Sequence, residues 1–200
     1  MIKNAVRAAT AVMTALMLTA GAAAVATATP VTDSSAAQES SKTASRPMTI
    51  AGFDPAVAEA NGYEIRTDAQ GRQYSVKRGT LTGAEPLSEG GGRVDGDCGF
   101  SFVKINGIGN NTARLETGFG VRAPVNAYEW HVSIIDTRGV STQDWGPVPG
   151  PGTPGLTLVR DLPGLATGEV DAQVLSSSRV MLSDGAFCYS GGPRDTGFVF

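Results

Sequence analysis

The chain has 200 residues, 18% of them charged, with 16 Lys and Arg against 19 Asp and Glu and a formal net charge of −3 at pH 7. This mild acidity, with basic residues scattered along the chain, excludes a nucleic-acid backbone or an anionic lipid surface as the main partner. Gly (26) and Pro (11) are frequent, which suits many turns and short strands better than helices.

The chain opens "MIKNAVRAATAVMTALMLTAGAAAVATATP". Lys3 and Arg7 form a positive start, Val12, Met13, Leu16, Met17 and Leu18 an apolar centre, and Ala24-Val25-Ala26 and Ala26-Thr27-Ala28 two small-residue cleavage patterns. That layout predicts a secretory signal peptide over 1–28, cut after Ala28. A spanning helix needs about 20 predominantly apolar residues; here Ala and Thr dilute a short apolar core, so export with cleavage, and no membrane attachment afterwards, is expected. Cleavage removes Lys3 and Arg7 and no acid, leaving 14 basic against 19 acidic side chains, a charge of 14 − 19 = −5.

Residues 29–47, "TPVTDSSAAQESSKTASRP", carry too little apolar surface to offset the entropy of ordering them, and a flexible leader is expected. A small helix-plus-hairpin segment is predicted over 48–82. Asp54 is placed to cap a two-turn helix, Pro55 fits its first turn, and Asn61-Gly62 supplies a left-handed stop. Tyr63–Arg66 and Gln73–Val76 flank Asp68-Ala69-Gln70-Gly71, a hairpin signal, with Tyr63, Ile65, Tyr74 and Val76 expected on one face. Residues 83–97 read as a linker, its "GGG" lacking the Gly-Lys-Ser/Thr ending of a phosphate loop.

From Cys98 the pattern changes. Ala113, Leu115, Thr117, Phe119 and Val121 alternate with Arg114 and Glu116; Tyr128, Trp130, Val132 and Ile134 with Glu129, His131 and Ser133; Val170, Ala172 and Val174 with Glu169, Asp171 and Gln173. Period-two alternation marks strands with one wet face. With "CGFSFVKI", a short edge near Ser141–Trp145, Leu156–Leu162 and "GAFCYSG", about seven strands are expected over 98–192, an antiparallel β-sandwich. Residues 193–200 are expected as a tail or an added edge strand.

The run "LVRDLPGLATGEVDAQVLSSS" (158–178) resembles the E–F corner of fibronectin type III domains. Trp130 with Tyr128 likewise resembles the core aromatics of immunoglobulin-like sandwiches. Val170 stands where such domains often carry a corner tyrosine, and the cysteines do not bracket the inner strands. The resemblance implies a binding or spacing role more often than chemistry.

Cys98 and Cys188 are the only cysteines and stand 90 positions apart. In an exported chain an even count predicts a disulfide. Zinc would need about four ligands, and two Cys with one His fall short; no cofactor is expected. His131 is the sole histidine, no G-x-S-x-G elbow exists, and Ser101 and Ser190 carry no nucleophile signature. Asp95 and Asp97 are read as turn residues rather than a calcium loop. The run "GPVPGPGTPG" (146–155) is expected to be an extended, polyproline-like loop. It makes Trp145, Pro147, Pro149 and Pro151 the candidate binding surface, for a protein or a glycan. The expectation is thus a secreted, non-catalytic interaction module. A small extracellular hydrolase using two carboxylates about 5–10 Å apart is the first alternative, and a protease inhibitor presenting a rigid loop the second.

Overall fold

This computed structural model of the chain describes residues 43–79 and 96–200. The expected signal peptide with its Ala28 cleavage site, most of the leader and most of the linker lie outside the described residues.

The protein is mostly antiparallel β, with twelve strands and one short helix among the described residues. They run β1 (Ala44–Phe53), α1 (Pro55–Ala60), β2 (Tyr63–Thr67), β3 (Gln73–Lys77), β4 (Gly99–Gly109), β5 (Thr112–Val121) and β6 (Val125–Asp136). Then follow β7 (Gly139–Pro149), β8 (Gly155–Leu162), β9 (Gly168–Val174), β10 (Arg179–Leu182), β11 (Ala186–Tyr189) and β12 (Arg194–Val199). Ten strands form one hydrogen-bonded sheet, nine of them in the order β12-β9-β6-β10-β11-β1-β4-β5-β8 and the tenth, β7, on β6; β2 and β3 pair separately.

The alternation read from the sequence becomes burial. Ala113, Leu115, Thr117 and Phe119 of β5 face Trp130, Val132 and Ile134 of β6 and Val170, Ala172 and Val174 of β9, all essentially inaccessible. The β5 and β6 faces meet directly: the Trp130 indole N–H donates to Thr117 Oγ1 at 3.0 Å, and the Phe119 and Trp130 rings lie 5.0 Å apart. Layers stacked in this way are consistent with a β-sandwich. On the opposite face of β5, Gly118 and Gly120 leave room for the Phe102 and Phe100 rings of β4 to lie against the sheet.

The strand count exceeds the expected seven for three physical reasons. First, β1 begins at Ala44, inside the stretch expected as leader. It carries Ser, Arg and Pro and shows no apolar alternation; only Met48 is fully buried. Backbone pairing on two sides holds it instead. Residues 44–48 pair with β4 and 49–53 with β11, so the strand passes from one part of the sheet to another. Second, β10 is four residues long, too short to show a period, although Val180 and Leu182 are fully inaccessible. Third, the C-terminal residues form β12, which pairs along its length with β9. It also approaches β4 so closely that a Cβ on Gly197 would lie 2.6 Å from the Ile105 carbonyl oxygen.

The Cys98–Cys188 disulfide sits at the point where β1 changes partners, with Cα atoms 6.0 Å apart and both residues fully buried. Cys188 faces Ile50 across the β1–β11 pair. Beside it the Cys98 N–H donates to Met48 O, and Ile50 N–H donates to Asp97 Oδ1 at 2.9 Å. Asp97 thus serves as a strand-tying carboxylate.

Asp54 caps α1, its Oδ1 accepting from Ala56 N and Val57 N, and Gly62 takes φ +80° at the helix exit. The hairpin differs from expectation. Ile65 pairs with Ser75 and Arg66 with Tyr74, so Tyr63 and Ile65 share a face with Ser75 and Lys77, whereas Tyr74 and Val76 share the other with Glu64 and Arg66. A one-residue change in register exchanges the faces, and the length of the connecting turn decides it.

Candidate functional site

The predicted surface residues are divided by the fold. Trp145 pairs with Trp130 across β6–β7, half-buried and packed on the core. The Arg160 guanidinium of β8 lies over its ring at 4.3 Å and donates to Gln143 Oε1 at 2.9 Å. One face of the indole is therefore occupied by a cation–π contact, and Trp145, Arg160 and Gln143 together bridge β7 and β8. The expected loop over 146–155 is shorter than its composition suggests, because β7 runs on to Pro149. Pro147 and Pro149 are exposed on this strand, which pairs only with β6 among the described strands and so tolerates the missing N–H groups. Pro151 is exposed in the turn that follows.

A second group of polar side chains lies across the outer face of β6. Register sets His131 opposite Asp144 and Glu129 opposite Arg179. His131 Nδ1 is 2.6 Å from Asp144 Oδ1, and its Nε2 is 3.4 Å from Glu129 Oε1. Glu129 Oε2 accepts from Arg179 at 2.8–2.9 Å. Tyr189, then Glu129, hydrogen-bond Arg179 and raise its pKa further. The sequence singles out His131 and Glu129, but Asp144 and Arg179 become their partners only through strand pairing.

Ser101 and Ser190 are buried and committed to one another: Ser190 Oγ donates to Ser101 Oγ at 3.0 Å, and Ser101 Oγ donates to the Arg46 carbonyl. No three His, Cys, Asp or Glu side chains among the described residues are placed to hold a metal ion.

Four aspartates are held below the usual carboxylate range. For Asp68 the chief cause is the Arg72 N–H, for Asp136 the Ala166 N–H and then the Arg138 N–H. For Asp161 it is the Arg114 side chain, and for Asp171 the Arg194 side chain followed by the Thr196 hydroxyl. Each donor favours the ionised form.

A third site forms where the helix and hairpin meet the sandwich. Asp184, buried in the turn between β10 and β11, accepts from Ser75 Oγ at 2.8 Å, Arg122 at 2.7 Å and Ala186 N at 3.0 Å. The adjoining Gly185 O accepts from Asp54 N at 2.7 Å. Next to this joint is an open cleft of about 350 Å³ lined by Asn61, Tyr63 and Lys77 from the helix–hairpin side. Pro124, Val125, Asn126, Gly152 and Ser183 line it from the sandwich. Gly152 belongs to the Pro/Gly run, so one end of the predicted loop borders the cleft.

No protein-family model and no curated protein sequence matches this chain.

Proposed function

We propose that this protein is an exported, disulfide-stabilised binding module that acts without catalysis, outside the cell or at its envelope, on a fibronectin type III-like sandwich. Its partner is a protein or a glycan, and no cofactor takes part. Export is supported by the charged start, apolar centre and small-residue cleavage pattern of 1–28. The fold reading is supported by the course of the 158–178 run. It forms β8, turns at Pro163-Gly164 with Gly164 at φ +73°, and continues as β9 against β6. β1, β10 and β12 are additions to that plan.

The observation that carries the non-catalytic reading is the pairing of the acids: Asp136, Asp161, Asp171 and Glu129 each meet an arginine, and Asp144 meets His131. A carboxylate-pair hydrolase needs one acid with a raised pKa to protonate the leaving group. The four with resolved shifts move the other way, fixed as anions by arginines and backbone N–H groups. Glu129, which flanks His131 together with Asp144, is likewise engaged by Arg179. An inhibitory loop has little chain to use, since the Pro/Gly run leaves only 150–154 outside β7 and β8.

The test uses the protein recovered from the medium of its producing cells. N-terminal sequencing is expected to begin at Thr29. Immobilised protein is expected to retain a specific partner from a glycan array or from extracellular protein. Hydrolysis of any polysaccharide or peptide in a substrate panel, abolished by Glu129→Gln, overturns the reading, as does recovery of the intact chain from the cytosol with two titratable thiols.

A further inference from the structure

The geometry points to the cleft at the hairpin–sandwich junction as a saccharide-binding site, taking one or two rings of a sugar that carries no cationic group. This rests on the binding-module reading and names the ligand class for it. The volume, about 350 Å³, falls in the range of small-molecule sites, and a junction between two structural pieces is where such sites concentrate.

The lining is what selects the ligand. Tyr63 contributes an aromatic ring with a polar tip, half-buried at the base of the hairpin; such a ring offers an apolar face to the C–H side of a sugar and a hydroxyl to its rim. Asn126, exposed at the start of β6, and Ser183, half-buried before Asp184, add an amide and a hydroxyl from the opposite wall. The side chains of Tyr63, Asn126 and Ser183 hold no hydrogen bond within the described residues. Asn61 donates to Val57 O, which leaves its amide oxygen as an acceptor. Neutral groups that both donate and accept suit a polyhydroxylated molecule, whose hydroxyls do the same. Pro124 and Val125 supply an apolar floor. Among the described residues Lys77 is the one charged side chain that lines the cleft and no carboxylate does, so a cationic ligand finds no counter-charge among them.

The walls are fixed. Tyr63 shares its face of the hairpin with Ser75, which is tied to Asp184, and Asp184 is one residue from Ser183. Backbone bonds from Ser183 N to Pro124 O and from Gly152 N to Val125 O join the sandwich side of the rim. A ligand therefore meets a preformed site, with little ordering cost.

The test is titration of the disulfide-bonded protein with maltose, cellobiose and di-N-acetylchitobiose up to about 10 mM, a range that detects weak single-site binding, followed by protein NMR shifts. The expected result is saturable shifts for at least one sugar, confined to Tyr63, Asn126, Ser183 and their neighbours. Tyr63→Ala and, separately, Asn126→Ala are expected to weaken binding about tenfold or more, the loss of one good contact. Asn126 is exposed and serves as the variant that keeps the fold if Tyr63→Ala loosens the hairpin. Tyr74→Ala, on the opposite hairpin face, is expected to leave affinity unchanged. Absence of shifts with all three sugars, shifts mapping elsewhere, or undiminished binding in Asn126→Ala overturns the proposal. If a partner is retained on the array or from extracellular protein with equal affinity by Asn126→Ala, the cleft assignment falls and the binding-module reading stands. If a sugar binds in the cleft and is hydrolysed, the reverse holds.

Discussion

Thr117 shows how much one hydroxyl carries inside this protein. It is fully inaccessible, accepts from the Trp130 indole and donates to the Phe102 carbonyl at 2.9 Å, so one group satisfies two others in the core. Thr117→Val keeps the volume but leaves the Trp130 N–H unpaired, with a cost of about 1–3 kcal/mol; urea denaturation of the two proteins measures it. The disulfide acts at the same scale with a longer reach. Removing it through Cys98→Ser with Cys188→Ser is expected to lose roughly 4 kcal/mol, because the bridge joins residues 90 positions apart and closes a long loop in the unfolded chain. The native protein is expected to gain about 2 Da on reduction, one hydrogen per sulfur, and to show no thiol before it.

Among the elements, the joint between α1 and the β10–β11 turn is the most sensitive. Gly185 adopts φ +87°, and a Cβ there would lie 2.5 Å from Asp54 O and 2.9 Å from Ala58 Cβ. Gly185→Ala therefore combines backbone strain with a clash and is expected to cost about 1–3 kcal/mol. Proteolysis is expected to cut the α1–β2–β3 segment sooner in this variant, while the Trp130 core signal is unchanged. Unaltered protease resistance of that segment would show that α1 does not depend on this contact. β1 illustrates the opposite kind of element, one held by neighbours rather than by its own side chains. Its residues give little apolar surface, yet it lies between β4 and β11 and borders the disulfide.

For the whole molecule, charge pairing sets the response to acid. Asp68, Asp136, Asp161 and Asp171 have folded-state pKa values below the ordinary aspartate value of 3.8, so the unfolded chain takes up protons first as the pH falls. Their contribution is complete above about pH 5, declines through the unfolded value near 3.8, and is gone once the lowered folded values are passed. The denaturation midpoint is expected to be flat from about pH 5 to 7 and to fall below about pH 4. In Asp136→Asn with Asp171→Asn that fall is shallower. An equal acid slope in the double variant would remove these carboxylates as its cause.

The local patterns of the sequence were sufficient wherever a signal repeats within a few residues. Alternation specified the inward faces of β5, β6 and β9; Asp54 with Pro55 specified the start of α1; and two cysteines permit one pairing, which is the pairing observed. Of the candidate surface, the sequence marked Trp145 and the prolines, and it marked His131 as outward, without their partners. Tertiary structure alone decided that Arg160 covers Trp145, that Asp144 meets His131, that β1 joins the sheet, and that Tyr63, Asn126 and Ser183 line one cleft. The physical reason is the range of the interactions. A period-two pattern or a helix cap is written in adjacent residues, whereas register and backbone pairing between distant segments arise from hydrogen bonds that nearly every residue makes alike, and so leave no mark in the sequence of either partner.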